Sequence, residues 1–276
     1  MKYYVVADVH GFYTPLHHAL ERAGFFEESE PHKLIICGDM FDRGHEARRL
    51  QDFAVSLFQE DRLIFIKGNH EDMLEQLIRQ VEAGDLWRLM DGSSHHVRNS
   101  TWDTALQLSG MVEPHAFKRP LELVSRVKKS TFYRTLLPNA IPYYETDHYI
   151  FTHGWIPCGS DDDARYYYTN RKYFFDPNWR EASSEAWFRA RWCNGIDLAC
   201  RQHLTVRNKT VVCGHWNASY GHSKIDGNGT EMGEKADHSP FYADGIIAID
   251  AGTVHSGTVN CLVLEDTSDN VEGERK

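Results

Sequence analysis

The sequence lacks three features that would each indicate a different class of protein. It has no apolar run near the roughly 20 residues that cross a membrane, and Asp8 and His10 interrupt the first apolar stretch before a signal-peptide core can form. Its 6 cysteines include no Cys-x-x-Cys pair, so they indicate buried thiols in a reducing compartment rather than a disulfide framework. We therefore expect a cytoplasmic protein without a membrane partner.

Positive charge is also scarce, because the formal net charge is −10 with histidine counted as neutral. A general nucleic-acid surface is normally basic, so nucleic acid is not expected as a partner. The acidic balance would also repel an anionic substrate. Bound divalent cations would reverse the charge locally, since such ions are usually the largest charges in their sites.

What the sequence does contain is a set of short blocks that place metal-binding side chains directly after apolar runs. A histidine taken alone is most often a surface or core residue, so the blocks matter more than the total of 16 histidines. Asp8, Asp39 and Asn69 are spaced by about 30 residues, which is the length of one strand–helix–strand unit. The five blocks are Asp8-Val9-His10-Gly11, Gly38-Asp39-Met40-Phe41-Asp42-Arg43-Gly44, Gly68-Asn69-His70-Glu71, Phe151-Thr152-His153-Gly154 and Cys213-Gly214-His215.

The pattern of apolar residues predicts a mixed α/β fold. Residues 1–83 show three consecutive β-loop-α units, and this alternation favours parallel strands with loops at their carboxyl ends. The segment of about 86–145 predicts a helical insertion, and the chain from residue 210 is nearly all β. We expect one domain over residues 1–266 and a flexible tail over 267–276. The individual elements predicted after residue 86 are helices over Thr101–Leu108 and Leu121–Leu137, strands over Tyr149–Thr152, Thr210–Cys213, Gly245–Ile249 and Thr258–Leu264, and a loop over Gly221–His238.

Residues 155–205 are irregular and rich in aromatic side chains. Two clusters stand out, Tyr166-Tyr167-Tyr168 and Tyr173-Phe174-Phe175. Such a stretch is more often local core than a platform for a ligand, and we interpret it as core.

The blocks contain the parts of a phosphate-hydrolysing site. Carboxylate, imidazole and amide oxygen form a borderline donor set that suits Mn, Fe or Zn. Two cations about 3.5–4 Å apart bind phosphate and lower the pKa of a bridging water, and Asp39 has two oxygens with which to bridge them. Arg43 offers a planar fork for phosphate oxygens. His70 could protonate a leaving oxygen, with Asp42 raising its basicity through a hydrogen bond.

Helix capping is the alternative explanation for Asp39 and Asn69, whose side chains are good N-caps. Capping does not account for five blocks in order, each after an apolar run. A metal site is therefore the favoured interpretation.

In order and content, the blocks resemble the motifs of the calcineurin-like metallophosphoesterase superfamily. The intact Asp42-Arg43-Gly44 and Gly68-Asn69-His70-Glu71 resemble its PPP-type serine/threonine phosphatase branch, including the small bacterial and phage enzymes. That branch also contains bacterial diadenosine tetraphosphate hydrolases. The resemblance extends from Lys2 to about Leu264. It implies a two-sheet β-sandwich flanked by helices, with metals at the carboxyl ends of the strands.

The resemblance also assigns roles to individual residues. It implies two divalent metal ions, with Mn favoured and Fe or Zn as alternatives, and it makes His70 and Asp42 the catalytic acid pair. Arg43 would bind the substrate phosphate. A second phosphate-binding arginine would be Arg189, because Trp187-Phe188-Arg189 resembles the family's Trp-x-Arg, with Arg191 as the alternative. The implied metal ligands are Asp8, His10 and bridging Asp39 for one ion, and Asp39, Asn69, His153 and His215 for the other.

Two tryptophans depart from the family pattern. Trp155 follows His153-Gly154, and Trp216 follows Gly214-His215, where smaller residues are usual. They could stack on a nucleobase or complete the core, and the sequence favours neither. The leading hypothesis is a metal-dependent serine/threonine protein phosphatase acting on a phosphoprotein or a phosphorylated small molecule. The alternatives are a diadenosine polyphosphate or other nucleotide hydrolase, and an inactive metal-binding scaffold.

Overall fold

Two β-sheets packed face to face, with helices on their outer sides, form the framework of this protein. The computed structural model describes residues 1–86, 89, 92–160 and 171–266. The expected two-sheet α/β architecture is confirmed. The Tyr166-Tyr167-Tyr168 cluster and the tail 267–276 lie outside the described residues.

The first sheet has the strand order β11-β1-β2-β3, in which β1, β2 and β3 are parallel and β11 is antiparallel. The second sheet has the order β4-β5-β8-β10-β9, with β5, β8 and β10 parallel and antiparallel strands at both edges. β6 and β7 form a separate hairpin-like pair. The strands are β1 (Lys2–Val6), β2 (His32–Cys37), β3 (Leu63–Ile66), β4 (Tyr143–Glu145), β5 (Tyr149–Thr152), β6 (Cys158–Ser160), β7 (Tyr173–Phe175), β8 (Thr210–Cys213), β9 (Phe241–Ala243), β10 (Ile246–Ala248) and β11 (Leu262–Glu265).

Alternation along the strands builds the core. In β1, Tyr3 and Val5 face the second sheet, where they pack with Phe151 and Val212. Tyr4 and Val6 face the opposite side and pack against helices. Because successive side chains of a strand point to opposite faces, a nearly continuous apolar run is what a sheet covered on both faces requires.

Helices cover both outer faces. Those of the first 83 residues confirm the three predicted β-loop-α units, and their apolar faces share one core with helices from 95–139. Within the described part of the chain, no helix is both long and apolar enough to span a bilayer. The α-helices are Tyr13–Arg22, Ala47–Gln59, Asn69–Glu82, His95–Arg98, Thr101–Ser109, Glu113–Lys118, Pro120–Val127, Ser184–Ala190, Gly195–Cys200, Ala218–Lys224 and Thr253–Ser256, and shorter turns are the π-helix Phe132–Leu136 and the 3-10 helices Leu137–Asn139 and Trp179–Glu181.

Some predicted elements differ from the structure. The single helix expected over Leu121–Leu137 ends at Val127. The amides of Lys129 and Ser130 then donate to carbonyls three residues back instead of four, and the amide of Phe132 donates to the side chain of Gln51 on a neighbouring helix. The strand expected from Thr258 begins at Leu262.

Two further segments of irregular sequence adopt regular structure. The loop expected over Gly221–His238 begins inside the helix Ala218–Lys224. Tyr173–Phe175, interpreted as local core, forms β7, in which Phe174 and Phe175 are exposed.

Candidate dinuclear metal centre

The five blocks converge where the carboxyl ends of the two sheets face each other. Asp8 follows β1, Asp39 follows β2 and Asn69 follows β3, whereas His153 and His215 follow β5 and β8 of the second sheet. Loops at the carboxyl ends of parallel strands meet at one sheet edge, and the packing of two sheets brings two such edges together.

Asp8, His10 and Asp39 form the first group of donor atoms. The Nε2 atom of His10 lies 3.9 Å from Asp8 Oδ1 and 3.9 Å from Asp39 Oδ2. The Nδ1–H of His10 donates to the carbonyl oxygen of Phe41 over 2.9 Å. This bond fixes the tautomer and leaves the Nε2 lone pair directed at the two carboxylates, as in a metal-binding imidazole.

Asp39, Asn69, His153 and His215 form the second group. His153 repeats the arrangement of His10, because its Nδ1–H donates to the carbonyl oxygen of Cys37 over 2.8 Å. Burial lowers the pKa of His153, although the charge of Asp39 opposes this, so the ring is neutral and its Nε2 carries a lone pair. The Nε2 atom lies 2.7 Å from Asn69 Oδ1 and 3.3 Å from Asp39 Oδ1. Acceptor atoms that converge without a proton between them fit a bound cation.

His215 completes the second group. One of its ring nitrogens and atoms of Asp39 and His153 all lie within 4.8 Å of one another. Its backbone amide donates to Asp8 Oδ2 over 2.8 Å, which connects the two sheets. Burial and the neighbouring His153 lower the pKa of His215 to about 3, so that it too presents a neutral imidazole.

Buried carboxylates repel one another in the site. Burial and repulsion from Asp250 and Asp39 raise the pKa of Asp8 well above its ordinary value. Burial also raises the pKa of Asp250 to about 6, although the amide of Gly252 donates to it over 2.7 Å. Divalent cations would relieve this repulsion, because a bound ion inverts the local electrostatics. The donor set therefore fits a pair of divalent cations.

His70 and Asp42 lie beside the first group. The Nδ1–H of His70 donates to Asp42 Oδ2 over 2.7 Å, and its Nε2 lies 3.7 Å from Asp39 Oδ2. Burial opposes protonation of His70, but the charges of Asp39 and Asp42 outweigh it and raise its pKa. The hydroxyls of Thr101 and Thr104 donate to the Asp42 oxygens, each over 2.7 Å.

Arg43 projects between the two histidines. Its Nη1 donates to His10 Nε2 over 2.8 Å, and its Nη2 donates to His70 Nε2 over 3.3 Å. The guanidinium therefore faces the donor atoms of the first group, where a phosphate would be attracted.

Strained backbone is concentrated at these residues. Of the ten described non-glycine residues with positive φ, six are predicted site residues, and such conformations persist only where the surroundings determine them. In the first block, Asp8 and His10 adopt the left-handed conformation as well as Gly11, which tolerates it most readily. The six residues are Asp8, His10, Asp39, Asp42, Arg43 and His215.

Glu71 is a site residue to which sequence reasoning gave no role, although it ends the third block. Its Oε2 accepts from the amides of Asp39 at 3.0 Å and Gly68 at 2.8 Å, and its Oε1 accepts from the amide of Met40 at 3.0 Å. Burial and the charge of Asp39 raise its pKa to about 7. Glu71 thus joins the loop that carries Asp39 to the loop that carries Asn69.

Five of the six predicted metal ligands line a cleft of about 680 Å³, and the sixth, His153, is fully buried. Trp216 lines this cleft and Trp155 does not, because Trp155 is fully buried in the second sheet's outer core. Trp192, which sequence analysis overlooked, also lines it. The ring centroids of Trp192 and Trp216 lie 5.9 and 5.8 Å from that of His215.

The structure does not bring Arg189 or Arg191 into the cleft. Arg189 is on the exposed face of the helix Ser184–Ala190 and pairs with Glu185 over 3.3 Å. Arg191 is buried, and its Nε donates to Asp72 over 2.6 Å. Among the described residues, the arginines that line the cleft are Arg43 and Arg98. Arg98 lies in the predicted helical insertion, outside the five motif blocks.

Comparison with known proteins identifies the family of this chain and proteins of similar fold. A family model described as calcineurin-like phosphoesterase matches residues 1–249. The asymmetrical bis(5'-nucleosyl)-tetraphosphatase PrpE of Anoxybacillus flavithermus is 29% identical over 80 residues, which are 27% of this chain and 33% of that protein. PrpE of Bacillus velezensis is 24% identical over 114 residues, which are 39% of this chain and 41% of that protein. The match thus spans less than half the length of either relative.

Among solved structures, a cold-active protein-tyrosine phosphatase of a psychrophilic Shewanella species is similar in fold. The TM-score is 0.51 at 18% identity, and the alignment covers 96% of this chain and 75% of the other.

Proposed function

Because the chain belongs to the calcineurin-like phosphoesterase family, we propose that it is a phosphoric-ester hydrolase that uses two divalent metal ions, with Mn favoured. The observation that carries this proposal is the hydrogen-bonded pair His70–Asp42, which lies 3.7 Å from the bridging carboxylate of Asp39. The cleft therefore contains both a proton donor, His70, and a cluster of side chains that could bind metal ions. The proposed metal ligands are Asp8, His10, Asp39, Asn69, His153 and His215.

When bound, the two ions would bind the substrate phosphate and lower the pKa of the attacking water. The remaining roles fall to the side chains. Arg43 orients phosphate oxygens with its planar fork. His70 carries the proton for the leaving oxygen, and Asp42 orients its ring and favours its protonated form. Glu71 keeps the Asp39 and Asn69 loops in register.

We propose phosphoserine and phosphothreonine in proteins as the substrates. The Asp-Arg-Gly and Gly-Asn-His-Glu blocks support this choice, as does a cleft whose rim includes the exposed side chain of Val254, where a peptide can lie. Asymmetrical cleavage of dinucleoside polyphosphates is the second candidate. Trp192 and Trp216 favour it, because aromatic rings at a cleft offer stacking surfaces for a base, and so does the partial similarity to PrpE.

We place the enzyme in the cytoplasm as a single domain over residues 1–266, in which about 86–145 is a helical insertion. All six cysteines are free thiols, which supports a reducing compartment.

Purified protein loaded with Mn tests the proposal. Turnover of p-nitrophenyl phosphate, of a phosphoserine peptide and of diadenosine tetraphosphate is compared for the unaltered protein and His70→Asn. Loss of a general acid reduces kcat by about 10²- to 10⁴-fold. His18→Asn, an exposed histidine on the helix Tyr13–Arg22, serves as the matched control.

Equal rates for His70→Asn and the unaltered protein on all three substrates would refute hydrolysis at this site. A preference for diadenosine tetraphosphate of more than about tenfold in kcat/KM, or 1.4 kcal/mol in transition-state binding, would select the second candidate.

A further inference from the structure

Among the described residues that line the cleft, positively charged side chains are fewer than carboxylates. Its described lining contains two guanidinium groups, Arg43 and Arg98. Arg43 is already hydrogen-bonded to His10 and His70 at the base. An anionic substrate that approaches the cleft therefore meets Arg98 as the other available cation. The lining carboxylates are Asp8, Asp39, Glu231 and Asp250.

Arg98 is exposed, and its side chain makes no hydrogen bond or ion pair with any described residue. This distinguishes it from Arg189 and Arg191, which pair with Glu185 and Asp72. A guanidinium that has five donors and no protein acceptor is available to a ligand.

The chain fixes Arg98 beside the acid pair. Arg98 ends the helix His95–Arg98, and Thr101 begins the next helix after a turn through Ser100, whose φ is 62°. Thr101 is fully buried and donates to Asp42 over 2.7 Å. Because three residues span at most about 10 Å, Arg98 is held on the side of the cleft where His70 would meet the leaving group.

We infer that Arg98 binds an anionic group of the substrate's leaving-group portion, such as a phosphate or carboxylate next to the scissile ester. This inference rests on the proposed hydrolase function. Arg98 would then be a specificity-determining residue: substrates with a second anion gain a charge-assisted, bidentate contact, whereas substrates with an uncharged leaving group gain nothing. Phosphate and carboxylate share this chemistry, and the experiment separates them.

The kinetic test compares Arg98→Ala and Arg98→Lys with the unaltered Mn-loaded protein. The substrates are p-nitrophenyl phosphate, diadenosine tetraphosphate, and two phosphoserine peptides that differ only by Glu or Gln beside the phosphoserine. Arg79→Ala, an exposed arginine of the helix Asn69–Glu82 that does not line the cleft, removes the same charge elsewhere. We expect Arg98→Ala to raise KM about tenfold for diadenosine tetraphosphate or the Glu peptide, with Arg98→Lys intermediate. The kinetic constants for p-nitrophenyl phosphate should change by less than about twofold.

A selective loss for diadenosine tetraphosphate would identify a phosphate as the anion that Arg98 binds. A selective loss for the Glu peptide over the Gln peptide would identify a carboxylate. An equal loss for all substrates would overturn the inference, because Arg98 would then act on the scissile phosphate or on the fold. The absence of any selective loss would overturn it as well.

A binding measurement keeps this inference separate from the proposed function. Calorimetric titration of the Mn-loaded protein with pyrophosphate and with phosphate requires no turnover. Arg98→Ala should lose about tenfold in affinity for pyrophosphate and keep its affinity for phosphate. If none of the substrates is hydrolysed, the hydrolase proposal fails. If pyrophosphate affinity is unchanged in Arg98→Ala, the role of Arg98 fails.

Discussion

The hydroxyl of Thr101 donates a hydrogen bond to Asp42 Oδ2 over 2.7 Å, although 59 residues separate the two in sequence. Thr104 donates to the other oxygen over 2.7 Å and accepts from the Asp42 amide over 3.0 Å. His70 also donates to Asp42, so hydrogen bonds from three side chains fix the orientation of the Asp42 carboxylate. The helix Thr101–Ser109 therefore supports the acid pair and is more than a cover for the core.

Replacing Thr101 by valine should lower kcat and leave KM nearly unchanged. Valine has the shape of threonine without the hydroxyl, so Asp42 loses one of the bonds that orient it toward His70. Loss of such an orienting partner typically reduces activity by about tenfold or more. The effect on the Asp42–His70 pair is measured by the dependence of kcat on pH for p-nitrophenyl phosphate hydrolysis. Thr101→Ser should restore the rate, and a valine variant with an unchanged profile would contradict the role of Thr101.

Gly68→Ala should disrupt the metal site without a change in local backbone strain. Its φ is −97°, which alanine tolerates, but a Cβ there would lie 2.2 Å from Asp39 Oδ1 and 2.4 Å from the Asp39 amide nitrogen. Both are rigid neighbours, so the bridging carboxylate has to move. We expect less than one Mn per chain by mass spectrometry after Mn-supplemented purification.

The control for this variant is Gly84→Ala. Gly84 has φ +77°, and an added Cβ would meet nothing within 4 Å. Gly84→Ala should introduce backbone strain of about 1 kcal/mol without a steric clash, and the protein should retain its metal. Equal metal content in the two variants would show that close approach at Gly68 is unimportant.

Metal removal should destabilise the protein. Without cations, the buried carboxylates of Asp8, Asp39 and Asp250 repel one another, as the raised pKa values of Asp8 and Asp250 indicate. Mn at a hundredfold excess over its Kd should add about 2.7 kcal/mol to the free energy of unfolding, measured by thermal unfolding before and after chelation. Asp39→Asn should not respond to Mn. A full Mn response in that variant would argue against Asp39 as the bridge.

Glu145 should make stability depend on pH at a place remote from the metal site. Its carboxylate pairs with Arg180 through two bonds of 2.6 and 2.7 Å and with Lys209 over 2.8 Å. Burial would raise its pKa, but the hydrogen bonds and charges of Arg180 and Lys209 outweigh burial and lower it from 4.5. The native state thus favours the ionised form. Its contribution is complete above the unfolded pKa and is lost as pH falls through the lowered folded pKa.

Glu145→Gln should accordingly reduce the free energy of unfolding at pH 7 by about 1.5 kcal/mol. The difference from the unaltered protein should shrink as the pH falls from about 5 to 3, as urea titrations at several pH values would show. Glu60→Gln, which breaks one exposed pair with Arg62, should have a smaller effect at pH 7. A difference for Glu145→Gln that is constant with pH would exclude the ion pairs as its cause.

Much of this site was visible in the sequence because each ligand is local to a strand end. An apolar run predicts a strand, a polar residue at its end predicts a loop at the carboxyl edge, and repetition of that pattern predicts convergence. The resemblance of the blocks to known motifs then assigned the ligands. Arg189 was misplaced by the same reasoning, since a Trp-x-Arg pattern does not determine which face of a helix its arginine occupies.

Contacts between distant segments were not accessible in this way. The roles of Glu71, Thr101 and Trp192 depend on how separate loops pack, and each residue has an ordinary local explanation as a helix or core residue. Trp155 and Trp216 have similar local sequences, but one completes a core and the other lines the cleft.

The sequence by itself determined the three β-loop-α units of residues 1–83, the order of the metal-binding blocks and the chemistry of their side chains, because these depend on local periodicity and residue type. Only the tertiary structure decided which side chains face the cleft and which of their donor atoms lie near one another. It placed Arg98 in the cleft and Arg189 on the surface, because the packing of helices against the two sheets sets the direction of each side chain.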